Sequence, residues 1–284
     1  MLSTNNSGNS TSTVTPSDSS RSDERETGTR LFLGFLFVVA TFYAVVLIYH
    51  AANPPQSTAA NSGLLERCRQ ICMKYGLVST GNLRRDAETY IKAVHVQPLT
   101  NALSEILSQP EPTPVSSQAH ALLQQSVPDF SLPDDQQTRK SLSNLGSNRP
   151  VVVVFYLGYG CSHCVAQLVA LEKDLHYFRE LDAEIIAISA DSPEHTAQRF
   201  AEYGRFGFPV LSDADRAVAS QWQCLHPATD ETPELMDHGT FIVDRTGKMI
   251  WACRGKEPFL DNRTLLKVLA QSQGLMPNPV AQRQ

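Results

Sequence analysis

The stretch VVVVFYLGYGCSHCVAQLVAL, residues 151–171, decides how the chain is read. Four valines and Phe155 leave no polar face for water, so Val151 to Leu157 is expected as a central strand of a sheet covered on both sides. Gly158 and Gly160 permit a turn, and a helix is expected from about Cys161 to Leu181. That handover places Cys161 and Cys164 in the first helical turn, where unpaired N–H groups and the positive end of the helix dipole favour an anion. The thiolate is such an anion and is the reactive form of cysteine. His163, as a cation or a hydrogen-bond donor, would stabilise it further. Residues three apart share a helix face, so the two sulfurs can alternate between dithiol and disulfide with little backbone movement. The expectation is a two-electron thiol switch. The structural alternatives are a static disulfide or half of a zinc site, but zinc wants a second closely spaced pair, and Cys224 and Cys253 are far apart.

Outward from this stretch, strands and helices alternate. Phe130 to Leu132, AEIIAIS (183–189), FPVLSD, TFIVD and MIWAC read as strands, the last two joined by a hairpin at DRTG. PEHTAQRFAEYG (193–204), Ala214 to Gln221 and Asn262 to Gln271 read as helices. The pattern predicts an α/β, thioredoxin-like fold over 127–273, a central mixed sheet flanked by helices.

The chain of 284 residues, 42% hydrophobic, has room for one such domain and further segments. Residues 1–30, rich in Ser, Thr and Asn, are expected to be a disordered polar tail. Leu31 to Tyr49 has no charged residue and reads as a transmembrane helix, with an anchor over 31–52. Arg21, Arg25 and Arg30 precede it and the first basic residue after it is Arg67. That asymmetry predicts a single-pass protein with a cytoplasmic N-terminus and an extracytoplasmic redox domain in an oxidising compartment. A polar linker (53–63), a helical stalk (64–107), a Pro-rich linker (108–126) and a C-terminal tail (274–284) complete the expected organisation. Within the stalk, Asn82 is a candidate cap, and Cys68 and Cys72 fall in an apolar stripe as packed thiols. The net charge of −5 and pI near 5.9 give no basic excess, so nucleic acid is not an expected partner.

In order, VPDFSLPDDQQTRKSLSNL, the 151–171 stretch, EIIAISADSPEHTAQRFAE, FPVLSDADRAVASQW and GTFIVDRTGKMIWA resemble the alkyl hydroperoxide reductase/thiol-specific antioxidant branch of the peroxiredoxin family. The resemblance spans roughly Val127 to Gly255. It implies that Cys164, followed by VAQL, is the peroxide-attacking cysteine, with Gln167 at the polar position one turn on. Leu157 and Cys161 stand where the family usually has Pro and Thr, and His238 where it has an arginine that polarises the peroxide. Loss of such donors weakens stabilisation of a developing oxyanion.

Cysteine in the Thr place also makes CSHC similar to the CPHC of thiol:disulfide oxidoreductases, which would make Cys161 the nucleophile. MDHGTFIVD resembles the Asp-His strand of copper chaperones for cytochrome oxidase, which would make Cys161, Cys164 and His238 a copper site. The expected activity is therefore a membrane-anchored thiol peroxidase using Cys161 and Cys164. Thiol:disulfide exchange is the alternative and copper delivery the third. Expected partners are a hydroperoxide or disulfide substrate and an external dithiol reductant similar to thioredoxin, with no organic cofactor. His238 can equally be a satisfied strand-end histidine, and Asp191 and Glu194 helix-dipole acids.

Overall fold

The computed structural model describes residues 30–45, 59–96, 98–160, 162–226 and 234–276, in two compact units, Met1–Gln56 and Ser57–Gln284. In the first unit, residues 30–45 form helix α1. Among the described residues, no helix is long and apolar enough to cross a membrane. This corrects the span expected over Leu31 to Tyr49. At 1.5 Å per residue, the described residues 30–45 account for about 24 Å of helix, against a hydrocarbon layer about 30 Å thick. With the span go the expected membrane partner, the single-pass topology and the extracytoplasmic placement of the redox domain. The end of that span (46–49), the polar tail up to residue 29, the linker over 53–58, Cys161 and the C-terminal tail from 277 lie outside the described residues.

The second unit begins with three helices, α2 (Ala59–Lys74), α3 (Leu83–Ala93) and α4 (Leu103–Ser108). These correct the expectation of a helical segment set ahead of the domain, because they are built into it. Ala87, Tyr90, Leu103 and Ile106 are buried in one core with Val152, Leu168 and Leu265. The cause lies in helix α6 (Ser162–Glu180), whose residues from His163 to Leu171 are all buried. A helix apolar on all sides needs cover on the side away from the sheet as well as toward it. α3 supplies that cover, its start fixed by Asn82, whose side chain accepts a hydrogen bond from Arg85 N at 3.0 Å.

Strands β1 (Ser131–Pro133) and β2 (Arg139–Ser141) form a small hairpin followed by α5 (Leu142–Leu145). Then come β3 (Val151–Phe155), α6, β4 (Glu184–Ser189), α7 (Pro193–Tyr203), β5 (Val210–Ser212) and α8 (Ala217–Gln221). A two-stranded pair, β6 (Leu225–His226) and β7 (Leu235–Met236), precedes β8 (His238–Val243), β9 (Met249–Gly255) and α9 (Asn262–Ser272).

The main sheet has the order β5-β4-β3-β8-β9. β3 and β4 run parallel with Val153 opposite Ile186, and β3 and β8 antiparallel with Val153 opposite Phe241. The sheet is thus mixed, with β3 at its centre and wholly buried, as its unbroken apolar sequence requires. Side chains alternate across it. Val152 and Val154 enter the core shared with α3, α6 and α9, while Val151, Val153 and Phe155 enter a second core with Trp222 and Phe241.

The Pro-rich stretch ahead of β1 lies along the outer edge of the sheet. Gln118 N donates to the Ala252 carbonyl at 2.8 Å, Trp251 Nε1 to the Val115 carbonyl at 3.0 Å, and Gln124 N to the Met249 carbonyl at 2.7 Å.

Candidate functional site

β3 delivers the chain to the carboxyl edge of the sheet, and the turn before α6 is braced from below. Gly158 has φ +99, and a Cβ there would meet both carboxylate oxygens of Asp191 at 2.8 Å. Asp191 Oδ2 accepts a hydrogen bond from Tyr159 N at 2.8 Å. Burial raises the Asp191 pKa, and the Tyr159 hydrogen bond opposes that rise. The cap of α7 is Ser192, whose hydroxyl oxygen accepts from His195 N. Asp191, expected as a helix-dipole acid, instead carries the turn that leads into the cysteine pair.

Cys164 and His163 occupy the first turn of α6 and are both fully buried. Cys164 Sγ lies 3.5 Å from Cys68 Sγ and 3.8 Å from His163 Nε2. The other ring nitrogen, His163 Nδ1, lies 3.5 Å from Cys72 Sγ. Cys68 and Cys72 come from α2, one turn apart, so one helix face brings two further sulfurs to the site. Cys68, His163 and Cys164 each offer a ligand atom within 4.8 Å of the others, and all three are buried. Cys161 lies outside the described residues.

Gln167, one turn further along α6, donates from Nε2 to Thr240 Oγ1 on β8 at 2.8 Å. His238 opens β8 beside this point, its ring 5.8 Å from that of His163. Its Nδ1 is 3.1 Å from the Lys256 carbonyl, to which it donates. Burial, reinforced by the neighbouring His163, lowers its pKa to about 3, so the ring is neutral. His238 stands outside the Cys68–His163–Cys164 cluster. Cys224 and Cys253 sit elsewhere in the fold, with burial raising the pKa of both thiols.

α2 is tied to the loops around β8 and β9 from its middle and from its C-terminal end. Arg67 Nη2 pairs with Asp237 Oδ1 at 3.1 Å, and Lys74 Nζ and Tyr75 Oη donate to Glu257 at 2.7 and 2.9 Å. Burial pushes the Asp237 carboxyl up, but hydrogen bonds from His226 and Arg67 outweigh it and the net shift is downward. Beside the sulfurs opens a cleft of about 720 Å³ lined by Cys68, Cys72, Gly160 and Ser162 among others. The contribution of α2 is what sequence reasoning missed. Its signal was present in the four-residue spacing of Cys68 and Cys72, but nothing local pointed them toward CSHC.

The sequence profile described as the AhpC/TSA family matches residues 123–252. A Mycobacterium tuberculosis protein named as a peroxiredoxin is 40% identical over 128 residues, 44% of this chain and 80% of its own. The thiol-disulfide oxidoreductase ResA of Halalkalibacterium halodurans is 30% identical over 98 residues, 34% of this chain and 54% of its own. Among solved structures, the peroxidoxin BcpB of Mycobacterium tuberculosis superposes with a TM-score of 0.48 at 29% identity, covering 56% of this chain and 100% of its own.

Proposed function

The chain belongs to the AhpC/TSA family, the peroxiredoxins, and is a thiol-dependent oxidoreductase; from that premise we propose that its working chemistry is thiol:disulfide exchange through Cys164. The observation that carries this is the sulfur pair. Cys164 Sγ rests 3.5 Å from Cys68 Sγ, and a closure of roughly 1.5 Å reaches the ~2.05 Å length of a disulfide bond.

In the proposed exchange, Cys161 attacks an incoming disulfide R–S–S–R′, expels R′–S⁻ and forms a mixed disulfide. Cys164 then attacks the Cys161 sulfur, expels R–S⁻ and leaves an internal CxxC disulfide. Two protein thiols are oxidised and one substrate disulfide is reduced to two thiols. Attack by Cys68 on Cys164 passes the bond inward and returns Cys161 as a thiol. An external dithiol reductant resets the pair.

The membrane-anchored peroxidase expected from the sequence is corrected in favour of this alternative. No described helix can span a membrane. The peroxide-polarising position implied by the resemblance holds His238, whose buried neutral imidazole cannot supply the permanent charge of an arginine. The similarity to ResA supports the same reading.

The test is reduction of insulin or a small aromatic disulfide, with dithiothreitol as the external dithiol. Replacing Cys161 or Cys164 by Ser is expected to lower turnover by at least about a hundredfold. Cys68→Ser is expected to slow repeated turnover while the first event persists. Hydrogen peroxide consumption that outpaces disulfide reduction and survives Cys161→Ser would overturn the proposal.

A further inference from the structure

We propose that the interior thiols, when reduced, form a binding site for a thiophilic metal ion, copper(I), held by Cys68 Sγ, Cys164 Sγ and His163 Nε2. The three donors come from α2 and α6, all buried and mutually within 4.8 Å. The sulfur–sulfur edge is 3.5 Å and the Cys164 Sγ to His163 Nε2 edge 3.8 Å. A metal bound at about 2.3 Å to sulfur and 2.0–2.1 Å to nitrogen holds neighbouring ligands about 3.5–4 Å apart. Those two edges are close to the size an ion requires, and the third, between Cys68 and His163, lies within 4.8 Å.

A second observation orients the imidazole. Nδ1 faces Cys72 Sγ at 3.5 Å, leaving Nε2 on the side of Cys164. A proton on Nδ1, donated to the Cys72 sulfur, leaves the Nε2 lone pair aimed at the triangle. Outer hydrogen bonds of this kind set the tautomer of metal-ligating histidines. The site therefore differs from the copper set suggested by the Asp-His strand, because His163 takes the place of His238, whose Nδ1 is committed to the Lys256 carbonyl.

Two thiolates and an imidazole select copper(I) or zinc(II) over hard cations. Copper(I) is satisfied by three soft ligands in a plane, the set that Cys68, Cys164 and His163 offer, and zinc(II), which completes its shell with a fourth ligand or a water, is the competitor the experiment includes. Binding displaces the two thiol protons and changes no oxidation state. An ion there keeps Cys68 and Cys164 from forming a disulfide, so capture and exchange compete for the same sulfurs. The inference shares those sulfurs with the exchange reading and does not depend on their turnover.

The experiment takes the full chain, stripped of metal and reduced under anaerobic conditions. It is titrated with copper(I) against a chromophoric copper(I) chelator, with zinc(II) in a parallel arm. One copper(I) per chain is expected, with thiolate-to-copper absorption in the near ultraviolet. Cys68→Ser and His163→Gln are expected to weaken binding by more than about a hundredfold, each checked for fold by circular dichroism. If Cys68→Ser unfolds, His163→Gln decides alone. Copper left with the chelator, binding unchanged in the folded variants, or retention of zinc in place of copper overturns the proposal. Disulfide reduction is measured on the same metal-free samples. Exchange without copper binding sinks only this inference, and copper binding without exchange sinks only the exchange reading.

Discussion

Cys164, the cysteine on which the proposed exchange turns, has no exposed surface. Its sulfur lies 3.5 Å from Cys68 Sγ, and Cys68 is among the residues that line a cleft. The turn that presents it depends on Gly158. With φ +99 and Asp191 at 2.8 Å from any Cβ, Gly158→Ala combines backbone strain with a carboxylate clash. The expected loss is about 1–3 kcal/mol, read from chemical denaturation, with disulfide turnover falling further than stability accounts for. An unchanged denaturation midpoint would show that the turn is not braced there. At this scale, the sequence drew attention to CSHC because the chemistry it suggests is written in adjacent residues. Cys68 was not, because two sulfurs 96 residues apart share no local pattern. Asp191 was read as a dipole acid for the same reason: its partner is a backbone amide on another loop.

The element that completes the site is α2, and its seating is electrostatic as well as apolar. Asp237, between β7 and β8, accepts from Arg67 of α2 and from His226. Folding lowers the pKa of this carboxyl below its model-compound value of 3.8. The stability it contributes is therefore present in full above that value and is lost as pH falls through the depressed folded value. Melting temperature should drop on acidification toward pH 3, and Asp237→Asn should be less stable at pH 7 and flatter across the same range. A variant as acid-sensitive as the parent would exclude Asp237 as a contributor. Elements were the most legible scale. Continuous apolar runs and helical periodicity placed β3, α6, β4, α7 and the β8–β9 hairpin within a few residues, because burial on two faces or one stripe leaves a period in the sequence. The destination of α2 to α4 was not legible, since an amphipathic stripe states that a helix needs a partner and not which one. The span expected from the apolar run at 31–49 is corrected on what is described: residues 30–45 are helical, and among the described residues no helix is long and apolar enough to cross a membrane.

At the scale of the whole molecule, the region resembling the family is not the folding unit. The matched span begins at residue 123, whereas the compact unit begins at Ser57. A chain cut to start at Val127 uncovers the face of α6 against which α3 packs with Ala87 and Tyr90, and it discards Cys68. It is expected to aggregate or melt without cooperativity, whereas a chain starting at Ser57 unfolds in a single transition by circular dichroism. Equal stability of the two would mean that the first three helices of the unit are ornament.

The prolines between α4 and β1 bear on association. The two margins of the five-stranded sheet differ: residues 115–125 run beside β9, and β5, only three residues long, is bridged at one point, through Leu211 to Asp134. An open strand margin is a template on which another polypeptide can crystallise its own backbone. With β9 covered and β5 short and bridged, the main sheet offers another copy little backbone to pair with, which leaves encounters to helices and loops, the surfaces where sequence can most readily choose its company.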